Sequence, residues 1–391
     1  MIYLDNASGS QPKPESVYQE VERAVRSLAG FPAERIHAPG RAAWELMNTA
    51  RGEAAALFGL SRPEGVIFSA GGTDALTMAL RGILKDGDHV VTGDCERAAV
   101  ARPLTHRQMR GRISLTRVDA GKDGRLDPAA IMRAVAHRTR LVVLGHGCEA
   151  LGVLQPVEEI ARLLRDHSAL LLVDASHTAG TVPLDMEGWG VDLLATSGHR
   201  SLYGPPGVGL LLVRPGLRLQ PLREGESGGD PTLSTQPLEL PWSLEAGVPN
   251  LPGIAGLLAG LRFIRQQTVA RMREHDTTLI KRFIGAVGLD ERFHLYAARG
   301  DLPRTGTVSF TLRGFTPVQV AQVLEKAHDI HVGAGLHASP ELHGKLQTLP
   351  GGTVRVSVGW FTSEDDVDAT VSALREMADA GAQQSMRLVQ A

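Results

Sequence analysis

The chain has 391 residues, 43% hydrophobic and 21% charged, which fits a soluble globular protein with a substantial core. Its 41 Lys+Arg against 43 Asp+Glu leave a formal charge of −2, so no global field favours nucleic acid or a membrane surface. Two cysteines, Cys95 and Cys148, are too few for a disulfide framework or a zinc site, and they suit small buried apolar positions better than nucleophilic ones. A reducing cytosol is the expected compartment. The opening Met1-Ile-Tyr-Leu-Asp5 lacks a basic stretch followed by an apolar core, so no signal peptide is expected. No apolar run approaches the roughly 20 residues that a membrane helix needs.

From residue 66 onward, short apolar runs alternate with amphipathic stretches. Residues 66–69, 89–92, 113–118, 141–145, 170–173, 193–196 and 208–213 are predicted as buried strands. Between them, 73–84, 128–136 and 157–166 carry helical periodicity. This alternation predicts an α/β architecture with a mostly parallel sheet, whose ligands sit beyond the carboxyl ends of the strands. Residues 218–251 are rich in Gly, Pro and Ser and are expected to form a long loop, a length more often functional than idle. A long helix is expected over 254–284. A smaller α+β unit follows, with strands at 307–312, 330–334 and 353–358 and helices at 317–326 and 364–378. The tail from Gly381 is expected to fray. The expected division is a large domain over 15–255, with 1–14 and 256–391 forming the N-terminal segment, linking helix and small domain.

Several motifs stand at strand ends. Ser69-Ala-Gly-Gly-Thr73 joins a strand to a helix start, where backbone N–H groups and the helix dipole favour an anion. Helix capping is the plain alternative for Thr73. Asp174, in Val173-Asp-Ala-Ser-His-Thr-Ala-Gly180, ends an apolar strand, where an acid is costly unless paired or functional. A second strand runs into Ser197-Gly-His199-Arg200 and then the turn Gly204-Pro-Pro-Gly207. Tyr3-Leu-Asp-Asn-Ala7, Gly152-Val-Leu-Gln-Pro156, Glu245-Ala-Gly-Val-Pro-Asn250, Ala334-Gly-Leu-His337 and Gly352-Thr-Val-Arg-Val-Ser-Val-Gly-Trp-Phe361 complete the set.

In joint order and spacing these motifs resemble the class V aminotransferases, the pyridoxal 5'-phosphate (PLP) family of fold type I that includes the cysteine desulfurases. The resemblance implies a large domain with a mostly parallel sheet, a small C-terminal α+β domain, a homodimer and PLP as cofactor. It implies a phosphate cup of Gly72, Thr73, Ser197 and His199, with Ser227 of Gly225-Glu-Ser227-Gly-Gly229 reaching the partner subunit's site. Asp174 would face the pyridine nitrogen, and Arg355 would clamp a substrate carboxylate. A solvent-facing strand arginine is the plain alternative for Arg355.

The reactive positions depart from the family pattern. Arg200 stands where the family places the lysine that forms the Schiff base, and a guanidinium stays protonated and offers no nucleophilic lone pair. Ala338 stands where the desulfurase cysteine follows Gly-Leu-His. Arg97 replaces a ring-stacking histidine, Glu149 an asparagine, and His177 a glutamine. Only six lysines occur in the chain, so arginine dominates its cations. Because the charge changes balance, Arg97 and Arg200 are expected to pair with Asp174 and Glu149 in the space of the pyridine ring. A standard cysteine desulfurase is not expected. The expectation is noncovalent binding of PLP, pyridoxamine phosphate or another anionic or amino-acid-like ligand. The alternative is an inactive relative acting as a binding or regulatory subunit, paired with an active homologue or a sulfur acceptor.

Overall fold

A computed structural model describes residues 1–28, 35–230, 232–298 and 300–389, with side chains through residue 381. The chain opens with strand β1 (Ile2–Leu4) and helices α1 (Glu15–Ser27) and α2 (Ala38–Leu57). Seven strands then build the large sheet: β2 (Val66–Ser69), β3 (His89–Gly93), β4 (Ser114–Val118), β5 (Thr139–Gly145), β6 (Leu170–Asp174), β7 (Leu193–Ser197) and β8 (Gly209–Val213). Between them lie α3 (Gly72–Ile83), α4 (Ala98–Met109), α5 (Pro128–Ala134), α6 (Val157–Leu164) and α7 (Met186–Trp189). The order is β2-β8-β7-β6-β5-β3-β4, parallel except for β8, which runs antiparallel to both neighbours. All seven expected strands are present, within a residue or two of their expected limits.

The central strands read as near-continuous apolar runs because helices cover both faces of the sheet. Val142 and Leu144 of β5 pack with α2, α6 and the later helix α8 (Leu251–Gln267), whereas Leu141 and Val143 pack with α3 and α4. Only β4, at the sheet edge, is mostly half-buried.

Beyond α8, helix α9 (Val269–Val287) leads to β9 (Phe293–Tyr296), β10 (Thr307–Leu312), α10 (Pro317–His328), β11 (Ile330–Gly335), α11 (Pro340–Lys345), β12 (Thr353–Ser357) and α12 (Glu364–Val389). Their sheet has the order β1-β11-β12-β10-β9, so the N-terminal strand joins it by parallel pairing with β11. Its core includes Leu4, Phe283, Phe310, Val354 and Leu374.

Two expectations need correction. The helix expected over 254–284 is two helices, broken at Thr268, which takes a left-handed φ of 68°. Its N–H still closes α8 on the Ile264 carbonyl at 2.7 Å, while its hydroxyl caps α9 at the Arg271 N–H. No glycine or proline marks this break, and a β-branched residue with positive φ is an uncommon way to make one. The last helix, expected over 364–378, runs from Glu364 to Val389. Among the described residues, no helix is long and apolar enough to cross a membrane.

The segment over 218–251 is irregular, as expected, and Glu245 pins it to the large sheet. Arg51 of α2 is buried and pairs with Glu245 at 2.5 and 2.8 Å, while the Phe68 N–H of edge strand β2 donates to Glu245 at 2.6 Å. Removing one partner leaves the other charge buried and alone. Glu245→Ala is therefore expected to lower the unfolding free energy by about 3–5 kcal/mol, and Glu245→Gln by less, as read by urea denaturation.

Candidate functional site

The strand-to-helix turn after β2 forms a hollow at the start of α3, where backbone N–H groups favour an anion. Gly71, with φ of 153°, caps α3 without any side-chain capping bond, so Thr73 is not a capping residue; its side chain is exposed at the first turn. A Cβ on Gly72 would fall 2.7 Å from the Ser176 hydroxyl and 3.1 Å from the Ser197 N–H nitrogen, so only glycine admits this approach. The Ser197 hydroxyl is buried and has no hydrogen-bond partner. His199 faces the same hollow as Gly71, Gly72, Thr73 and Gly207. Burial first, then the neighbouring Arg200 and Lys13, holds its imidazole below the ordinary histidine range, favouring the neutral form. Neither Ser197, expected in the cup, nor Ser227, expected to serve a partner's site, is among the residues around this hollow.

Beyond the carboxyl ends of β5, β6 and β7, a buried charge network replaces open space. Arg97, at the N-cap of α4, pairs through Nε with Asp174 Oδ2 at 2.5 Å, and Asp174 Oδ1 accepts from the Ser176 N–H at 3.0 Å. Glu149 lies at the centre. Its Oε2 is 2.8 Å from His177 Nε2 and 3.7 Å from Arg97, and its Oε1 is 3.3 Å from Arg200 and 3.5 Å from Arg355. Arg355 also donates to Asp5 at 2.8 Å and Ser8 at 2.7 Å. At 2% exposure it is not the solvent-facing arginine of the plain alternative. The expected pairing of Arg97 and Arg200 with Asp174 and Glu149 is thus present in the geometry.

The protonation states follow from this packing. Burial alone would raise the Glu149 carboxyl, but His177, Arg200 and Arg355 outweigh it and hold the group well below the usual range. Burial likewise opposes Arg97 and the Ser176 N–H at Asp174, and the partners prevail. His177 is pushed down to about 4, by burial and then by Arg200, so it is neutral near pH 7. Its Nε2 also lies against Arg200 Nη1. A neutral Nε2 can donate to Glu149 or accept from Arg200, not both. Arg200 can only donate, so Nε2 accepts from it, Arg200 Nη2 reaches Glu149 Oε1 at 3.3 Å, and Glu149 Oε2 has no hydrogen-bond partner.

Residues that the motifs did not single out complete the site. Asp5 and Ser8 occupy two donors of Arg355 from a loop 350 and 347 positions away in the chain. Glu96 is buried, accepts only the Gly145 N–H at 2.9 Å, and is raised to about 8 by burial and then by Asp174. It is a neutral acid at pH 7. Of these, only Asp5 lies inside a motif quoted above, Tyr3-Leu-Asp-Asn-Ala7. Ala338, exposed and with φ of 57°, accepts the Ala98 N–H at 2.8 Å and so abuts the residue after Arg97. Both cysteines are buried, with thiols raised above the ordinary range, first by burial. Together with Glu96, Arg97, Glu149, Asp174 and His177 they enclose a void of about 10 Å³, room for no more than about one water.

A family model described as aminotransferase class-V matches residues 2–370. A cysteine desulfurase IscS from an Anaeromyxobacter species is 31% identical, over 96% of this chain and 92% of its own. A probable cysteine desulfurase from Halalkalibacterium halodurans is 28% identical, over 96% and 93%. The solved apo structure of a cysteine desulfurase from Thermococcus onnurineus superposes with a TM-score of 0.90 at 28% identity, covering 97% of this chain and 95% of the other. The mostly parallel sheet, the strand-end site and these matches agree: the chain belongs to the class V aminotransferases, the PLP-dependent family of fold type I.

Proposed function

We propose that this protein is a noncatalytic member of its family that binds a phosphorylated or otherwise anionic ligand at the cup, and that it performs no desulfurase chemistry. The observation that carries this reading is the 2.5 Å pair between Arg97 and Asp174, with Glu149 beside it. The family's cofactor requires a carboxylate for its pyridine nitrogen, an open slot for its ring and an amine for its aldehyde. Here the carboxylate is already neutralised, and the enclosed void is about 10 Å³. For scale, a cavity that holds one benzene ring is about 150 Å³. No amine stands at position 200. A pyridoxal ring therefore does not fit between these residues, whereas its phosphate end fits the cup.

The carboxylate clamp supports the same reading. Arg355 gives Nη1 to Glu149 and Nη2 to Asp5 and Ser8, which leaves only its buried Nε without a partner. A substrate carboxylate would have to displace these partners. This favours a binding or regulatory role over altered catalysis, with an active homologue or a sulfur acceptor as the class of protein partner.

Two outcomes test the proposal. Inorganic phosphate is expected to bind and to raise the melting temperature, and Thr73→Val and Ser197→Ala are each expected to weaken binding about tenfold by calorimetry. Added PLP is expected to give no aldimine absorbance and no borohydride-fixed adduct; an aldimine band would overturn the proposal.

The charge network has its own signature. The folded-state pKa of Asp174 is lowered, so its stabilisation is present above about pH 4 and is lost as pH falls through the folded value. In Arg97→Ala that support is gone and burial dominates. The variant is expected to lose about 3–5 kcal/mol at pH 7. Its deficit should narrow as pH falls toward 4, because protonation then relieves Asp174. A deficit independent of pH, measured by denaturant titration, would show that the pair does not control Asp174.

A further inference from the structure

The formal charge of −2 conceals an uneven distribution. Residues 102–140 hold ten of the 41 Lys and Arg but only three of the 43 Asp and Glu. They form most of α4, the edge strand β4 and α5, at one end of the large sheet. Among the described residues, Arg112 pairs with Asp86 at 2.6 Å, Arg133 with Asp127 at 3.4 Å and Arg117 with Glu341 at 3.5 Å. Arg107 spends its donor on the Leu84 carbonyl at 2.9 Å, which leaves its charge uncancelled. Arg102, Arg110 and Arg138 are exposed and no described acid pairs with them. Val100 and Leu104 bury one face of α4, and this turns Arg102 and the 83% exposed Met109 outward.

These cations flank a strand with one side open. β4 pairs with β3 alone. The Ser114 N–H donates to the Asp88 carbonyl at 2.9 Å, and the Val118 carbonyl accepts from the Asp94 N–H at 3.1 Å. By alternation, Leu115 and Arg117 turn their N–H and C=O groups to the free side. We propose that this free edge docks an extended acidic segment of a partner protein, which adds a strand to the large sheet and lays its carboxylates against Arg102 and Arg110. A charge that keeps an edge unpaired sits on the strand itself. Here the one cation of β4, Arg117, is engaged by Thr105 at 2.6 Å, by Gln108 at 3.2 Å and by Glu341, while the unpaired arginines lie beside the strand. Residues 102–140 contain no aromatic side chain, so the patch offers no stacking platform for single-stranded nucleic acid. Open backbone groups with flanking positive charge suit an acidic strand instead. The edge is independent of the hollow at α3.

Fluorescence anisotropy of the intact chain with a labelled, alternating Glu-Val octapeptide tests the site. Binding is expected, weakening as salt rises, with none for the Lys-Val counterpart. Hydrogen exchange at the Leu115 and Arg117 amides is expected to slow when the Glu-Val peptide is added, because strand addition covers those groups. The double variant Arg102→Glu, Arg110→Glu is expected to bind at least about tenfold more weakly with an unchanged melting temperature, and Arg102→Gln, Arg110→Gln to fall between. The exchange measurement uses the unaltered protein, so it decides the matter even if a variant fails to fold. Absence of peptide binding overturns the proposal, as does binding that leaves exchange at Leu115 and Arg117 unchanged. Undiminished affinity in both folded double variants removes the arginines from the site and overturns it too. Tighter binding of a short duplex DNA than of the peptide assigns the patch to nucleic acid and overturns the acidic-strand partner.

Discussion

A carboxylate with no water around it must find positive charge or hydrogen-bond donors, and Glu149 meets that requirement through four neighbours at once. Arg97, His177, Arg200 and Arg355 arrive from four separate segments and converge on its two oxygens. Each contact alone is modest in length and geometry. Jointly they fix the relative positions of α4, the turn after β6, the turn after β7 and strand β12. Through Arg97, the same hub reaches Asp174 and sets its ionisation. Burying so many charges is rarely worth more than apolar packing would be. What such a network does supply is specificity of arrangement, because every member is wrong unless the others are present.

Around this rigid centre the protein keeps two softer features. The cup retains glycines and a helix start, the usual means of holding an oxyanion. His177 and Glu96 stay neutral near pH 7 despite their charged surroundings, since burial weighs more than the fields they feel. The site thus combines full charges that cancel with titratable groups that have been silenced.

Much of this was legible in the sequence, for identifiable reasons. The strands of the large sheet are buried on both faces, so they appear as unbroken apolar runs, and the strand-end motifs fix where the chemistry lies. Balanced substitution of charge at 97, 149 and 200 also foretold the ion pairs, because lone charges could not be buried there. What stayed hidden was nonlocal. Asp5 meets Arg355 only because β1 pairs with β11, and β1 is three residues long with no distinctive pattern. The Thr268 break carries no glycine or proline. The burial of Glu96 depends on how β5 passes beneath it, which periodicity does not encode.

The crowding around Glu149 also restricts where this sequence can go next. Exchanging Arg200 for lysine would place an ammonium about where Glu149 Oε1 now receives the guanidinium, 3.3 Å away. That carboxylate would keep the amine protonated, and Arg97 would still fill the slot beside it. Neutralising Glu149 first would strand Arg97, Arg200 and Arg355 without their shared counter-ion. Each single step toward an imine-forming pocket is therefore blocked by a residue that only another step could remove. Under the proposed function, imine chemistry in this pocket would need several substitutions at once.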